Sequence, residues 1–166
     1  MALNVKGLFF LTVALTEVLA KDSTAEDPAK VINISSVASY DTHAEETALG
    51  SEGHGLWSYN TSKAAVNHLT QLMAVTLSKK FITVNAILPG VFPSKMTAFG
   101  FKSAADALTS NQPMGRVGSP RDMAGLALFL ASPASRHITG ALIPIDGGAL
   151  IHGRPLGDSR AKKAKL

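Results

Sequence analysis

Cysteine is absent from the 166 residues. That absence excludes disulfide scaffolds, thiolate zinc sites and cysteine nucleophiles. Charge is sparse, 17% of the chain against 46% hydrophobic, the balance of a chain with a buried core rather than a disordered one. No uninterrupted apolar run reaches the roughly 18 residues of a membrane span, so no span is expected. Internal repeats and low-complexity segments are also missing. There is no basic stripe interleaved with aromatics. Beyond residue 153, Arg154, Arg160, Lys162, Lys163 and Lys165 stand against Asp158 alone, so the whole net charge of +4 sits in the tail. A charge confined to a tail is a poor footprint for nucleic acid, and no nucleic-acid partner is expected. The length suits one domain with a real core, expected over residues 1–150, followed by a flexible basic tail over 151–166.

What is present alternates between helical and strand patterns. Residues 3–20 read as an amphipathic helix, with Leu8, Leu11, Ala14, Val18 and Leu19 near helical spacing and Glu17 interrupting the apolar run. The same stretch imitates a secretory leader, with a lysine, a short apolar segment and "VLA" as a cleavage site. Export would make Asn33 and Asn60 glycosylation sites, yet both fall in segments of regular structure, which argues against it. Residues 30–35 read as a buried strand ending in small polar residues. Residues 40–58 read as a polar loop. Residues 59–79 read as a long helix. Its apolar positions Ala64, Ala65, Leu69, Leu72, Met73, Val75 and Leu77 cover more than one face, so burial on most sides is expected. "FITVNAILPG" is a strand stopping at Pro89–Gly90, and residues 91–118 read as a mobile stretch. Ser119 caps the next helix, Pro120 opens it, and it runs to about Leu130. "GALIPIDGG" is a third strand. Strands separated by helices of this length imply right-handed crossovers and a parallel sheet. Sites in such sheets form at the strands' carboxyl ends, so Ser35–Ser36 and Pro89–Gly90 are expected to share one crevice.

Two residues carry the candidate chemistry. Tyr59 and Lys63 are one helical turn apart and point to the same side. A free tyrosine is a poor base at neutral pH; an ammonium beside it favours the phenolate and makes the pair a usable acid/base. Ser36, at a neighbouring strand end, can donate a hydrogen bond to a substrate oxygen. The spacing alone is common in helices whose tyrosine is core and whose lysine is solvated. His43 and His54, with Glu45, Glu46 and Glu52, match no ligand spacing, and a solvated loop rather than a metal site is expected.

Five segments, "NVKGLFFLT", "VINISSVAS", "YNTSKAAV", "VNAILPGVFPSKMT" and "ALIPIDGG", follow one another between Ala2 and Gly148. In that order they resemble the short-chain dehydrogenase/reductase family, and most of all its ketoacyl-reductase-type members. The resemblance implies an α/β fold: a partial Rossmann-type doubly wound parallel sheet whose N-terminal βαβ half is missing. It implies a NADP or NAD cofactor and a small carbonyl or alcohol substrate, acyl-chain substrates included. By the resemblance Tyr59 is the acid/base. Lys63 binds the nicotinamide ribose, Ser36 orients the substrate oxygen, and Asn4 holds a water of the proton relay. Pro89, Gly90 and Phe92 line the loop beside the nicotinamide, and Ser94 stands where the family usually has threonine. Homo-oligomers through helices 3–20 and 59–79 are implied as well.

Two departures bear on this. Ser36 and Tyr59 are 23 residues apart, wider than the family's usual spacing. The resemblance therefore implies an insertion within residues 40–58, which a loop absorbs at small entropic cost. The Gly-rich phosphate turn that opens such folds has no counterpart: neither Gly-x-Gly-x-x-Gly nor Gly-x-x-x-Gly-x-Gly occurs. The strand at 31–35 should then show one bare apolar edge. A shortened product, inactive by itself and serving at most as an interaction module, is the alternative reading. Terminal Ala-Lys-Leu is close to the receptor-read peroxisomal address Ser-Lys-Leu, which sets a peroxisomal against a cytoplasmic location.

Overall fold

A computed structural model describes residues 1–45, 47, 49, 55–110 and 112–152. Its centre is a parallel sheet in the order β1-β2-β3, formed by β1 (Ala29–Ile34), β2 (Ile82–Pro89) and β3 (Leu142–Ile145). β2 is the middle strand, and every residue from Ile82 to Leu88 is buried, as expected of a parallel strand covered on both faces. Two polar residues interrupt it, Thr83 and Asn85, and Asn85 is 2% exposed. Its Nδ2 donates to the Ile138 carbonyl at 2.8 Å and its Oδ1 accepts from the Ala141 amide at 3.0 Å. Asn85 thus pins the segment that leads into β3.

A π-helical turn, Ala2–Gly7, runs into helix α1 (Leu8–Ala20). Helix α2 (Trp57–Leu77) follows β1, and α3 (Ala98–Ser110) and α4 (Pro120–Ala131) separate β2 from β3. Met73 and Ala74 of α2 pack with Ile82 and Val84 of β2, and Leu8 and Leu19 of α1 join them. Helix α4 also lies against β1 and β2. At its start Ser119 Oγ accepts from the Asp122 amide, and the Asp122 carboxylate accepts from the Ser119 amide at 2.8 Å. That is the expected cap in reciprocal form, with Pro120 at the first position.

Three expectations need correction. Residues 91–118 are not irregular throughout, since α3 occupies 98–110. Its Ala-rich, proline-free run is a good helix former, and Leu108 anchors it at 0% exposure. Helix α2 is not buried on most sides. One row, from Ser62 through Val66 and Thr70 to Met73 and Ala74, is covered, while Leu72 and Val75 are 53% and 73% exposed. Only part of the expected apolar row of α1 faces the core: Leu8 and Leu19 do, while Leu11, Ala14 and Val18 are exposed and Thr12 is the buried residue. The helix Ala2–Ala20 is long and apolar enough to cross a membrane by length and composition alone, a test that core helices and signal sequences also pass, and 6% of that window is buried. Lys6 and Glu17 break the apolar run without lowering its average much. A core helix short of its cover has the same composition.

The bare edge expected of β1 is present. The amides of Ala29 and Ser35 donate to Phe81 and Ile87, so alternation turns Lys30, Ile32 and Ile34 toward the other side. No strand pairs with that side among the described residues. An open groove of about 660 Å³ lies there, lined by Leu3 to Leu19 of the N-terminal helix and Lys30 to Ile34 of β1, with Lys63 among its walls.

Candidate active site

The site is assembled where β1 and β2 end. β1 stops in two serines. Ser35 Oγ donates to the backbone carbonyl of Lys63 at 3.1 Å, which fixes the strand end against α2. Ser36 is 7% exposed. Its hydroxyl lies 3.4 Å from the Pro89 carbonyl and accepts from the Ala38 amide at 3.1 Å. The two strand ends thus meet, with Ser36 and Pro89 in contact.

Tyr59 lies in the first turn of α2 and Lys63 one turn later. The Lys63 ammonium sits 5.7 Å from the Tyr59 ring centroid and donates to the Ile34 carbonyl at 2.9 Å. Burial pushes the Lys63 amine below its ordinary value, because the charged form loses water. The lysine therefore points at the strand end beside Ser36 and not into bulk solvent. Asn4 lies in the π-helical turn, a feature often found at functional sites. Its Nδ2 donates to Ser62 Oγ at 2.9 Å, and Ser62 Oγ donates to the Tyr59 carbonyl at 2.8 Å. Asn4 thus acts on the turn that carries Tyr59 through Ser62, which is 1% exposed.

The remaining expected residues surround the end of β2. A Cβ on Gly90 would sit 2.7 Å from Asp146 Cβ, and one on Gly118 would sit 2.3 Å from Phe92 Cζ. At Gly90 the backbone of Asp146 passes so close that only glycine fits, while at Gly118 it is the tip of the Phe92 ring that fills the space. Phe92 directs the end of its ring at Gly118, while Ser94 is exposed and hydrogen-bonded to Thr97. Between the end of β1 and α2, the Leu56 amide donates to the Ala44 carbonyl at 2.6 Å. Asn60 Nδ2 ties Asp41 to α2. His43 pairs with Asp41 and Glu45 takes the Trp57 indole N–H. Glu46, Glu52 and His54 lie outside the described residues, as does the tail from residue 153. No group of metal-ligating side chains occurs among the described residues.

Sequence reasoning placed Ser35 at the strand end but missed its bond to Lys63, and it missed Ser62 and Thr97 altogether. Ser35 and Ser62 act across 28 and 58 residues of chain, and no local pattern marks such contacts. Thr97 stands three after Ser94, a spacing typical of local hydroxyl caps, and was legible.

A parallel sheet with helices on both faces and a polar cluster at the strands' carboxyl ends defines a doubly wound α/β protein. A family model described as enoyl-(acyl carrier protein) reductase matches residues 1–149. The chain belongs to the short-chain dehydrogenase/reductase family. Among its relatives is the rhamnolipids biosynthesis 3-oxoacyl-[acyl-carrier-protein] reductase of Pseudomonas aeruginosa, 41% identical over 150 residues, which are 89% of this chain and 55% of that protein. The human (3R)-3-hydroxyacyl-CoA dehydrogenase is 35% identical over 148 residues, 89% of this chain and 51% of that one. The solved structure of Pseudomonas aeruginosa RhlG as an NADP active-site complex has a TM-score of 0.76 at 39% identity, covering 89% of this chain and 56% of that one. A gluconate 5-dehydrogenase from Burkholderia cenocepacia, solved with NADP and tartrate, has a TM-score of 0.74 at 30% identity, over 88% and 52% of the two chains. The chain spans about half the length of the curated relatives it matches.

Proposed function

We propose that this chain carries the proton-handling half of a reductase that uses NADP or NAD on a carbonyl or alcohol of an acyl chain. One observation carries the reading. The Lys63 ammonium, seated against the Tyr59 ring, binds the carbonyl at the end of β1, next to the serine that meets Pro89. The donor set fits the nicotinamide end of a dinucleotide: an ammonium in the wall of a groove, a phenol one turn earlier on the same helix and an exposed serine on the loop after β2. For the diphosphate end the sequence offers no Gly-rich turn. The acyl preference is supported by the named activities of the two relatives, and NADP by the two solved structures.

Bound nicotinamide supplies the hydride. Tyr59 gives its phenolic proton to the substrate oxygen as the carbonyl carbon is reduced to the alcohol, and takes that proton back in the reverse direction. Ser36 donates a hydrogen bond to the same oxygen and holds it in place. Lys63 offsets the negative charge that appears on the phenol and reaches ribose hydroxyls. Asn4 fixes the turn bearing Tyr59 through Ser62. Leu72 and Val75 of α2, with Phe10 and Val13 of α1, stand exposed and support pairing of two copies through these helices. Terminal Ala-Lys-Leu supports a peroxisomal over a cytoplasmic location, tested by imaging a fluorescent fusion with and without those three residues.

The experiment is NADPH titration of the full chain, followed by NADPH consumption with a 3-oxoacyl thioester. Tyr59→Phe should lower turnover by roughly 10²- to 10⁴-fold and leave NADPH binding intact. Equal turnover in the variant would remove Tyr59 from the reaction. The uncovered groove and bare β1 edge favour a second reading, a non-catalytic interaction module. Absence of NADPH binding at millimolar concentration, together with capture of a full-length relative, would select it. Export finds no support in the sequons' geometry: Asn33 Nδ2 is bonded to buried Thr70 at 2.8 Å and Asn60 Nδ2 to the Asp41 carbonyl at 3.1 Å.

A further inference from the structure

Chain connectivity does little to hold Ser36 against Tyr59, because the two are 23 residues apart. Two cross-links to α2 do so instead, one on each side of Ser36. Before it, Ser35 Oγ donates to the Lys63 carbonyl at 3.1 Å. After it, Ser39 Oγ donates to the Ser36 carbonyl at 2.6 Å and accepts from Asn67 Nδ2 at 2.7 Å. The polarity of that relay is fixed. A serine hydroxyl has one proton, and the Ser36 carbonyl, an acceptor only, takes it. Ser39 therefore meets Asn67 with a lone pair, and Asn67 must present its N–H. The Asn67 Oδ1 is left buried without a partner. Asn67 is 6% exposed, and an unmet acceptor at that depth is unfavourable. An apolar side chain would avoid it, so packing alone does not explain an amide at this position; the bond to Ser39 does.

We infer that Asn67 is a positioning residue: through Ser39 it straps the turn bearing Ser36 to the helix bearing Tyr59 and Lys63, and so sets where the Ser36 hydroxyl meets the substrate oxygen. Asn67 touches no ligand. The inference rests on the reductase reading above for the role of Ser36, and on the hydrogen-bond relay for the strap itself. Asn4 serves the Tyr59 turn in the same way through Ser62, so both hydroxyls take their positions from α2.

The Ala38 amide donates to Ser36 Oγ and reports the strap without any ligand. Its hydrogen exchange is followed by NMR on the full chain, measured against the Val84 amide of the middle strand. Exchange at Ala38 should rise roughly tenfold relative to Val84 in Asn67→Ala and in Ser39→Ala, the equivalent of one hydrogen bond. Ser39→Thr, which keeps the hydroxyl, should stay close to wild type. NADPH-dependent reduction of a 3-oxoacyl thioester reads the consequence. Both alanine variants should lower kcat by roughly tenfold with KM for NADPH unchanged, and neither should lower it further in a Ser36→Ala background. Ser39→Ala alters a half-buried side chain and stands even where Asn67→Ala fails to fold. An unchanged Ala38 rate, or an equal rise at Val84, overturns the strap. If Asn67→Ala slows the Ser36→Ala background as much as it slows wild type, Asn67 is structural only and the inference falls. If wild type turns nothing over, the reductase reading fails, and the Ala38 rates still decide whether the strap holds Ser36.

Discussion

Replacing Gly90 by alanine adds a single methyl group at the point where β2 and β3 end. The new Cβ would lie 2.7 Å from Asp146 Cβ and 2.9 Å from Asp146 Cα. The second of these is backbone, so no rotamer change relieves the clash. Asp146 is also held in place: its carboxylate accepts from the Gly148 amide at 3.0 Å and the Leu150 amide at 2.8 Å. The Gly90 amide donates to the Ile145 carbonyl at 3.0 Å, so the strands cannot part without losing that bond. Overpacking of this kind costs about 1–3 kcal/mol. Alanine recovers about 0.4–1 kcal/mol by restricting the unfolded chain, which leaves a net loss of up to about 2.6 kcal/mol and centred near about 1.3 kcal/mol, at roughly 2–4 °C in Tm per kcal/mol for this size. Gly125 is the control. It lies inside α4 with nothing within 4 Å of an added Cβ, so Gly125→Ala should stabilise by about 1 kcal/mol. Urea unfolding followed by Trp57 fluorescence and far-UV circular dichroism reads both variants as midpoint shifts at constant m. A Gly90→Ala midpoint at or above wild type would refute the close approach of the two strand ends.

Three more outcomes are expected. Asn85→Leu should cost at least about 2 kcal/mol in the same assay, since it strands the Ile138 carbonyl and Ala141 amide that Asn85 serves; a loss under about 0.5 kcal/mol counts against the pin. Burial lowers the Lys63 pKa from 10.5. Folding therefore carries a penalty for charging Lys63 at neutral pH, and that penalty fades as pH rises toward 10.5. Wild type should accordingly gain stability over Lys63→Met between neutral pH and that value, and a constant gap would place the ammonium in bulk solvent. Asp122 is held well below the usual carboxylate range, first by Arg116 and then by Ser119. Its contribution is present above the unfolded value of 3.8 and disappears as pH falls below it. The stability difference between wild type and Asp122→Asn should shrink through that acid range, as followed by circular dichroism.

How much of this was legible depends on how local the determinants are. The strands around Val31 and Val84 and the long helix after Tyr59 were readable, because period and length are properties of a short window. The contact between Ser36 and Pro89 followed from the rule that parallel strands meet their ligands at one end. Helix α3 was not readable, because Pro93, Gly100 and Gly115 break up its surroundings and its anchor, Leu108, is supplied by tertiary packing. The buried side of α1 was misread for a related reason. With Leu, Val and Phe on nearly every side, its pattern names no single inward row, and the row around Thr12 is chosen by β1 and α2. Lys63 was legible as a partner of Tyr59, but its bond to the Ile34 carbonyl depends on a strand 29 residues away in sequence.

That last bond makes one atom common to two events. The Ile34 carbonyl is the final hydrogen-bonding group on the vacant side of β1, and it also fixes the Lys63 amine. Any polypeptide that lengthens the sheet at this margin must end its own ladder beside that oxygen, in competition or in cooperation with the amine. Sheet extension and the setting of the charge are therefore thermodynamically linked. A guest strand that disturbed this oxygen would retune Lys63, and titrating the amine would alter the guest's affinity by the same factor.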